Sequence, residues 1–273
     1  MDIKIFVATH KNYWMPEDDI YTPIHVGRKG KKDIGYIGDD TADNISDRND
    51  GYCELTGFYW IWKNVKADYL GLVHYRRYFT HKGLFCRSID KKRRDILSRK
   101  DWESLLKYTD IVVADKRKYR IETNEEHYLH AHPREQFDVC KAIIQEQCPE
   151  YMNGWNVMMN RTWAHMFNMF VMKKEYYDEF CQWWFDVMFE VEKKVDLEKY
   201  AKEEQRWFID ELLLDVWLET KKYKYKEINV DFFENQNWLK KLFYFFKRKI
   251  IKFEDMDMKV LIVAFHSRSM TPY

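Results

Sequence analysis

Apolar positions along the chain fall into short continuous runs and longer helical stripes. Residues 3–7 (IKIFV), 69–73 (YLGLV) and 110–114 (DIVVA) are short runs with little polar alternation, which predicts strands of a sheet buried on both faces. Residues 54–65 (ELTGFYWIWKNV) predict a helix with Leu55, Tyr59, Trp62 and Val65 on one face. Residues 91–107 predict a charged helix with Ile96, Leu97, Leu105 and Leu106 inward, and residues 122–148 a further helical stretch. Residues 173–195 predict a long amphipathic helix whose stripe is Tyr177, Phe180, Trp184, Met188 and Val191. A last helix is expected over 204–220 and a strand over 223–232. Residues 11–51, rich in Asp, Asn, Gly and Lys, show neither period and read as one long irregular segment, a feature that is usually functional or disordered. The alternation describes one α/β domain with a helix-rich second half, and 273 residues suffice to give it a substantial core.

Charge changes this picture little. Lys+Arg number 46 and Asp+Glu 45, so no global field for nucleic acid exists and any basic site is local. Aromatic residues make up 18%, enough to serve both a core and sugar-facing surfaces. The five cysteines (Cys53, Cys86, Cys140, Cys148, Cys181) are odd in number and widely spaced, which fits free thiols in a reducing compartment. The first residues have no signal-peptide pattern, and no run approaches the roughly 20 apolar residues that span a bilayer. A cytoplasmic protein is expected.

Residues 238–253 (WLKKLFYFFKRKIIKF) contain six basic residues and no acid. On a helix, Leu239, Leu242, Phe243, Phe246, Ile250 and Phe253 share one face, and Lys240, Lys241, Lys247, Arg248 and Lys252 the other. A helix lying on an anionic membrane surface has this pattern, and so does a core-facing or dimer helix with a solvated Lys face. Residues 1–237 are therefore read as the main domain and 238–273 as a basic extension, with peripheral membrane attachment as one reading.

No P-loop, GxGxxG, HExxH, GxSxG or Cys/His metal cluster occurs, which excludes most familiar enzyme classes. Four other stretches carry candidate chemistry. The strand at 69–73 ends in HYRRYF, where His74, Arg76 and Arg77 could hold a diphosphate or pair with nearby acids. Asp39, Asp40 and Asn44 in GDDTADNIS fit either a divalent cation or turn chemistry. His127, Tyr128, His130 and His132 in EEHYLHAH could orient sugar hydroxyls or supply an acid or base. Asp210 and Glu211 sit inside an apolar helix, either as surface charges or as a base whose pKa burial raises.

The ordered set IGDDTADNIS, YCELTGFYWIWKN, YLGLVHYRRYF, IETNEEHYLHAH, FNMFVMKKEYYDEFCQWWFDVMFEVE and RWFIDELLLDVWLE resembles a bacterial family of capsular and exopolysaccharide synthesis proteins, long catalogued as a domain of unknown function. The resemblance runs from residue 5 to about 238. That family is similar to GT-A-type glycosyltransferases, and some members are associated with galactofuranose transfer.

The resemblance implies a nucleotide-sugar-binding half with a mixed sheet, then an acceptor half. Ala8, Thr9, His10 and Lys11 would border the nucleotide with Asp39, Asp40, Asn44, His74, Arg76 and Arg77. His127, Tyr128, His130, His132 and Trp155 would face the acceptor, with Trp60, Trp155 and Tyr128 as stacking surfaces. Glu211, or second Asp210, would be the base of an inverting transfer.

The chain departs from the family pattern at three places: Ala42 stands where Gly follows the Thr of the GDxT loop, and Trp207 and Leu212 replace a Gly and an Arg around Glu211. No DxD acid pair ends the central strand, so Arg76 and Arg77 are expected to stabilise the leaving diphosphate without a metal. The opposing expectation uses Asp39 and Asp40 to hold Mn²⁺ or Mg²⁺. The implied reaction moves a sugar from a UDP-sugar, such as UDP-galactofuranose or UDP-galactose, to a growing or lipid-linked capsular, O-antigen or exopolysaccharide glycan. The alternative is a non-catalytic nucleotide- or sugar-binding scaffold.

Overall fold

The structure, a computed structural model, describes residues 1–83, 88–119, 121–201 and 205–234. Cys86 and the basic segment 238–253 lie outside the described residues. The strands are β1 (Ile3–Thr9), β2 (Tyr21–His25), β3 (Ile37–Gly38), β4 (Tyr69–His74), β5 (Arg77–Phe79), β6 (Ile111–Ala114), β7 (Arg117–Lys118), β8 (Trp163–Ala164), β9 (Phe170–Lys173), β10 (Lys226–Ile228) and β11 (Val230–Phe232). The helices are α1 (Asn49–Tyr52), α2 (Leu55–Asn64), α3 (Ile89–Arg94), α4 (Arg99–Leu105), α5 (Asn124–Ala131), α6 (Arg134–Gln147), α7 (Met152–Met159), α8 (Lys174–Lys194) and α9 (Asp210–Lys221).

One mixed sheet runs in the order β10-β6-β9-β4-β1-β2-β3, and β5 branches from β4 to pair with β11. β1 is parallel to both β2 and β4, whereas β9 is antiparallel to β4 and β6. The short pair β7-β8 stands apart. Successive side chains of a strand point to opposite faces, and both faces here are apolar. Phe6 and Ala8 of β1, Leu70 and Leu72 of β4 and Phe170 of β9 join the core layer under α2, α6, α8 and α9. Ile3, Ile5, Val7, Val73 and Val171 join the layer that contains Trp102 of α4. Burial on both faces explains why these strands read as continuous apolar runs.

All five stripe residues of α8 are buried. Phe58 of α2 packs edge-on against Tyr177 at 5.3 Å, and Trp62 stacks on Phe185 at 5.6 Å. The α2 stripe differs from the expected one: Leu55, Phe58 and Ile61 are buried, and Tyr59 and Trp62 lie at its margin against α8. Three other expectations are corrected. Segment 11–51 contains β2 and β3 and is not wholly irregular. The 91–107 helix is two short helices, α4 opening on a capping box in which Ser98 and Asp101 exchange hydrogen bonds. The 122–148 stretch is α5 and α6, divided at Pro133, which has no N–H to carry a helix through.

Gly154 lets α7 approach α9. A Cβ there would lie 2.8 Å from the backbone oxygen of Val216 and 2.2 Å from Thr220 Oγ1. Among the described residues, no helix is long and apolar enough to cross a membrane.

Candidate active site

The parallel strands β1, β2 and β4 end side by side, with Thr9 opposite His25 and Ala8 opposite His74. Carboxyl ends of parallel strands are the usual place for a ligand crevice in an open sheet. Here the edge carries cations and rings. Lys11 Nζ lies 5.1 Å from the Tyr75 ring centre, Arg76 lies over the same ring at 5.0 Å, and His10 meets it edge-on at 5.4 Å. Burial, then Lys11 and Arg76, push the His10 pKa down. Thr9, Ala8 and His25 are buried, and His25 Nδ1 has no partner.

The two adjacent arginines part company. His74 pairs with Arg77 across a tight hairpin, so Arg76 sits exposed at its tip and Arg77 returns on β5. The Arg77 guanidinium lies over Phe167 at 4.4 Å and Phe232 at 5.3 Å, and it borders a cavity of 310 Å³. Arg76 and Arg77 leave the turn from different positions, one exposed at its tip and one on β5, and both act on the charge of His74.

Asp210 and Glu211 begin α9 and line that cavity together with Glu54, Arg77, Arg117 and Arg206. Helix N-termini favour carboxylates by about 0.3–1 kcal/mol, less than one pKa unit. Burial and like charge win here. Burial, followed by the charge of Glu54, raises Glu211 to about 7 against the opposing pull of Arg77, Arg117 and Arg206. Burial, Glu211 and Glu54 push Asp210 well above the usual carboxylate range, against hydrogen bonds from the Asn168 amide and the Glu211 backbone. Asp210 Oδ2 accepts from Asn168 Nδ2 at 2.8 Å, and Oδ1 has no partner.

Several contacts fix the start of α9. Gln136, fully buried, donates to Arg206 O at 3.0 Å and accepts from Phe208 N at 3.2 Å. Trp207 N donates to Gly51 O at 3.0 Å. One turn further on, Asp215 accepts from His165 N at 2.7 Å and meets His165 Nδ1 at 2.6 Å.

Phe167 and Asn168 are consecutive residues with φ of +83° and +49°, a left-handed bend that non-glycine residues seldom adopt. This bend touches three site residues. Phe167 O accepts from His74 Nε2 at 2.5 Å, its ring lies under Arg77, and Asn168 holds Asp210. Asn168→Ala removes a buried hydrogen bond and puts a Cβ-bearing residue of low left-handed tolerance in the bend. We expect a loss of about 2 kcal/mol in urea unfolding at pH 7, with the midpoint falling at constant slope.

The histidine helix α5 opens on a capping box of Thr123 and Glu126. His127 stacks on Tyr119 at 4.0 Å and bonds Glu122 through Nδ1 at 3.2 Å. His132 stacks on Phe208 at 3.9 Å, and burial lowers its pKa to about 4. Both line the cavity with Tyr128. His130 is half exposed and bonds Glu122, outside the lining. Trp155 is 1% exposed and packs on Phe137, so its ring has no face for a sugar. Trp60 donates to Thr41 beside the GDDT loop.

Asp39 is fully buried and accepts four hydrogen bonds: from Gly27 N, Arg28 N, Ser46 Oγ and Thr56 Oγ1, at 2.5–3.0 Å. Its lone pairs are filled by the protein, which makes it a loop anchor. Asp40 faces Arg28 at 3.3 Å, and Asn44 closes its own turn onto Ala42 O and Ser46 N. This donor set does not fit a divalent cation, and among the described residues no trio of His, Cys, Asp or Glu is placed to hold one. Ala42 has φ +48°, the conformation that suits the Gly of the related pattern. Ala42→Gly is expected to raise stability by about 1 kcal/mol, read as a higher denaturation midpoint.

Sequence reasoning missed Glu54, Arg117, Asn168 and Arg206. Glu54, Asn168 and Arg206 stood inside quoted motifs, but no spacing rule links them to Glu211.

The α/β fold, with its central mixed sheet flanked by helices, is that of a glycosyltransferase-like protein. Residues 4–222 match the model of a domain of unknown function, DUF4422, and the chain belongs to that family. A solved structure described as the apo form of WbbM, a bifunctional glycosyltransferase, superposes with a TM-score of 0.78 at 28% identity. The match covers 86% of this chain and 46% of that one, so the chain spans less than half of that protein. No curated protein matches the chain.

Proposed function

We propose that the protein is a glycosyltransferase that moves a sugar from a nucleotide donor to a glycan hydroxyl, with Glu211 as the base. The observation that carries this reading is a carboxylate at the start of α9 whose pKa is raised to about 7, open to a cavity that also presents Arg77. A base is most effective when its pKa lies near the working pH. Asp210 beside it is held towards its neutral form, by burial first and then by the charges of Glu211 and Glu54.

In this reading the nucleotide lies along the ends of β1, β2 and β4, near Ala8, Thr9, His10 and Lys11. The diphosphate faces Arg77, with Arg76 at the outer edge. Glu211 takes the proton of the acceptor hydroxyl as it attacks the anomeric carbon, and Arg77 stabilises charge developing on the leaving diphosphate. Saturation of Asp39 supports a transfer that needs no divalent cation at the GDDT loop. The likeness to a bifunctional glycosyltransferase supports sugar transfer in general. The GT-A type, a UDP-sugar such as UDP-galactose or UDP-galactofuranose, and a bacterial surface glycan as acceptor follow from the motif resemblance. Attachment of residues 238–253 to an anionic membrane would keep a cytoplasmic enzyme near a lipid-linked acceptor.

A thermal-shift screen of UDP- and GDP-sugars, followed by assay of nucleoside diphosphate release in EDTA and in Mn²⁺, tests this reading. Binding and release in both conditions are expected. Binding with no release under any condition would instead identify a scaffold.

A further inference from the structure

The cavity holds three guanidiniums that are not neutralised. Several arginines elsewhere in the fold have acids: Arg28 has Asp33 and Asp40, Arg48 has Glu192, and Arg161 has Glu219. Among the described residues, Arg77, Arg117 and Arg206 form no ion pair with a carboxylate. Arg77 comes from the strand half of the chain and suits the donor diphosphate. Arg117 and Arg206 come from elsewhere, β7 and the segment before α9, and both are built the same way.

Each mouth arginine rests on a ring two residues later, and each ring stacks on a histidine, His127 within α5 or His132 just after it. Arg117 lies over Tyr119 at 5.4 Å, and Tyr119 stacks on His127 at 4.0 Å. Arg206 lies over Phe208 at 4.7 Å, and Phe208 stacks on His132 at 3.9 Å. Tyr119 N donates to Thr162 O at 2.7 Å, and Gln136 pins both ends of segment 206–208, so both shelves are held by backbone. A guanidinium held over a ring still has N–H donors for a planar or tetrahedral anion and loses less rotamer freedom on binding it than an unsupported one. The acids of the cavity offset this charge weakly, since Asp210 and Glu211 both hold their protons to higher pH than usual.

We propose that Arg117 and Arg206 bind an anionic group on the acceptor, a phosphate ester or a uronic acid carboxylate, at the mouth of the cavity. This rests on the reading of the cavity as a transferase site, with the donor on the strand side. An anion held there fixes the acceptor in place while its hydroxyl meets Glu211, and it discriminates against neutral sugars.

Calorimetry with galactose 1-phosphate, methyl galacturonide and methyl galactoside, on protein with and without UDP, tests the proposal. At least one anionic sugar is expected to bind at least about tenfold more tightly than methyl galactoside, with the advantage shrinking as salt rises. The stronger of the two identifies phosphate or carboxylate as the recognised group. In the double variant Arg117→Gln, Arg206→Gln, whose side chains are exposed, the advantage should vanish while UDP affinity holds within about twofold. Equal binding of neutral and anionic sugars overturns the proposal. So does a parallel loss of UDP affinity in the double variant, which would give both cations to the donor diphosphate. Failure of UDP to bind the wild type would instead count against the transferase reading, and the UDP-free titrations still decide the anion site.

Discussion

Glu211→Gln loses about 10³-fold in transfer rate and gains stability at the same time. The two effects share one cause. Folding raises the Glu211 pKa from an ordinary 4.5 to about 7, first by burial and then by the charge of Glu54. The folded state therefore binds more protons than the unfolded state between those values, and stability falls as pH rises through that window. At pH 8 the wild type bears nearly the full cost of an ionised, poorly solvated carboxylate, roughly 3 kcal/mol. Glutamine removes it, so the variant should melt roughly 6–12 °C higher at pH 8 and level with the wild type at pH 4. A residue serving only the fold would show the opposite sign, with loss of activity following loss of stability.

Arg77→Met is the second large effect. Arg77 is the cavity cation that comes from the sheet, and it opposes the rise in Glu211. Methionine keeps the contact with Phe167 and Phe232 and removes the charge. Binding of the free nucleoside diphosphate should weaken at least tenfold, about 1.4 kcal/mol, by calorimetry. The acid limb of the pH profile should also move up by about one pH unit, since a neighbouring guanidinium holds a carboxylate down by about that much. Arg76→Met should do less on both counts, because Arg76 lies exposed at the hairpin tip. Equal effects from both would place both guanidiniums on the diphosphate.

How far the sequence carried these conclusions depended on whether a feature was periodic. β1, β4, β6 and α8 were legible because burial on both faces of a sheet, or one face of a helix, imposes a repeat on the residues. β2 was not: it has five residues, one of them Pro23, and β3 has two. Asp210 and Glu211 stood out as charges in an apolar helix. Glu54, more than 150 positions earlier, had no local signal, because only the tertiary fold brings it to the start of α9. Arg76 and Arg77 looked equivalent until a two-residue turn sent them to different places. Asp39 fitted either a divalent cation or turn chemistry, and its four hydrogen-bond donors come from three separate segments that no local pattern joins. Phe167 and Asn168 carry their message in φ, which no residue pattern announced.

The most direct test of the account is the pH dependence of kcat/KM for nucleotide-sugar transfer by the wild type. The account predicts a tenfold rise per pH unit below a break near 7, set by Glu211. A profile flat from pH 5.5 to 8.5 would contradict it.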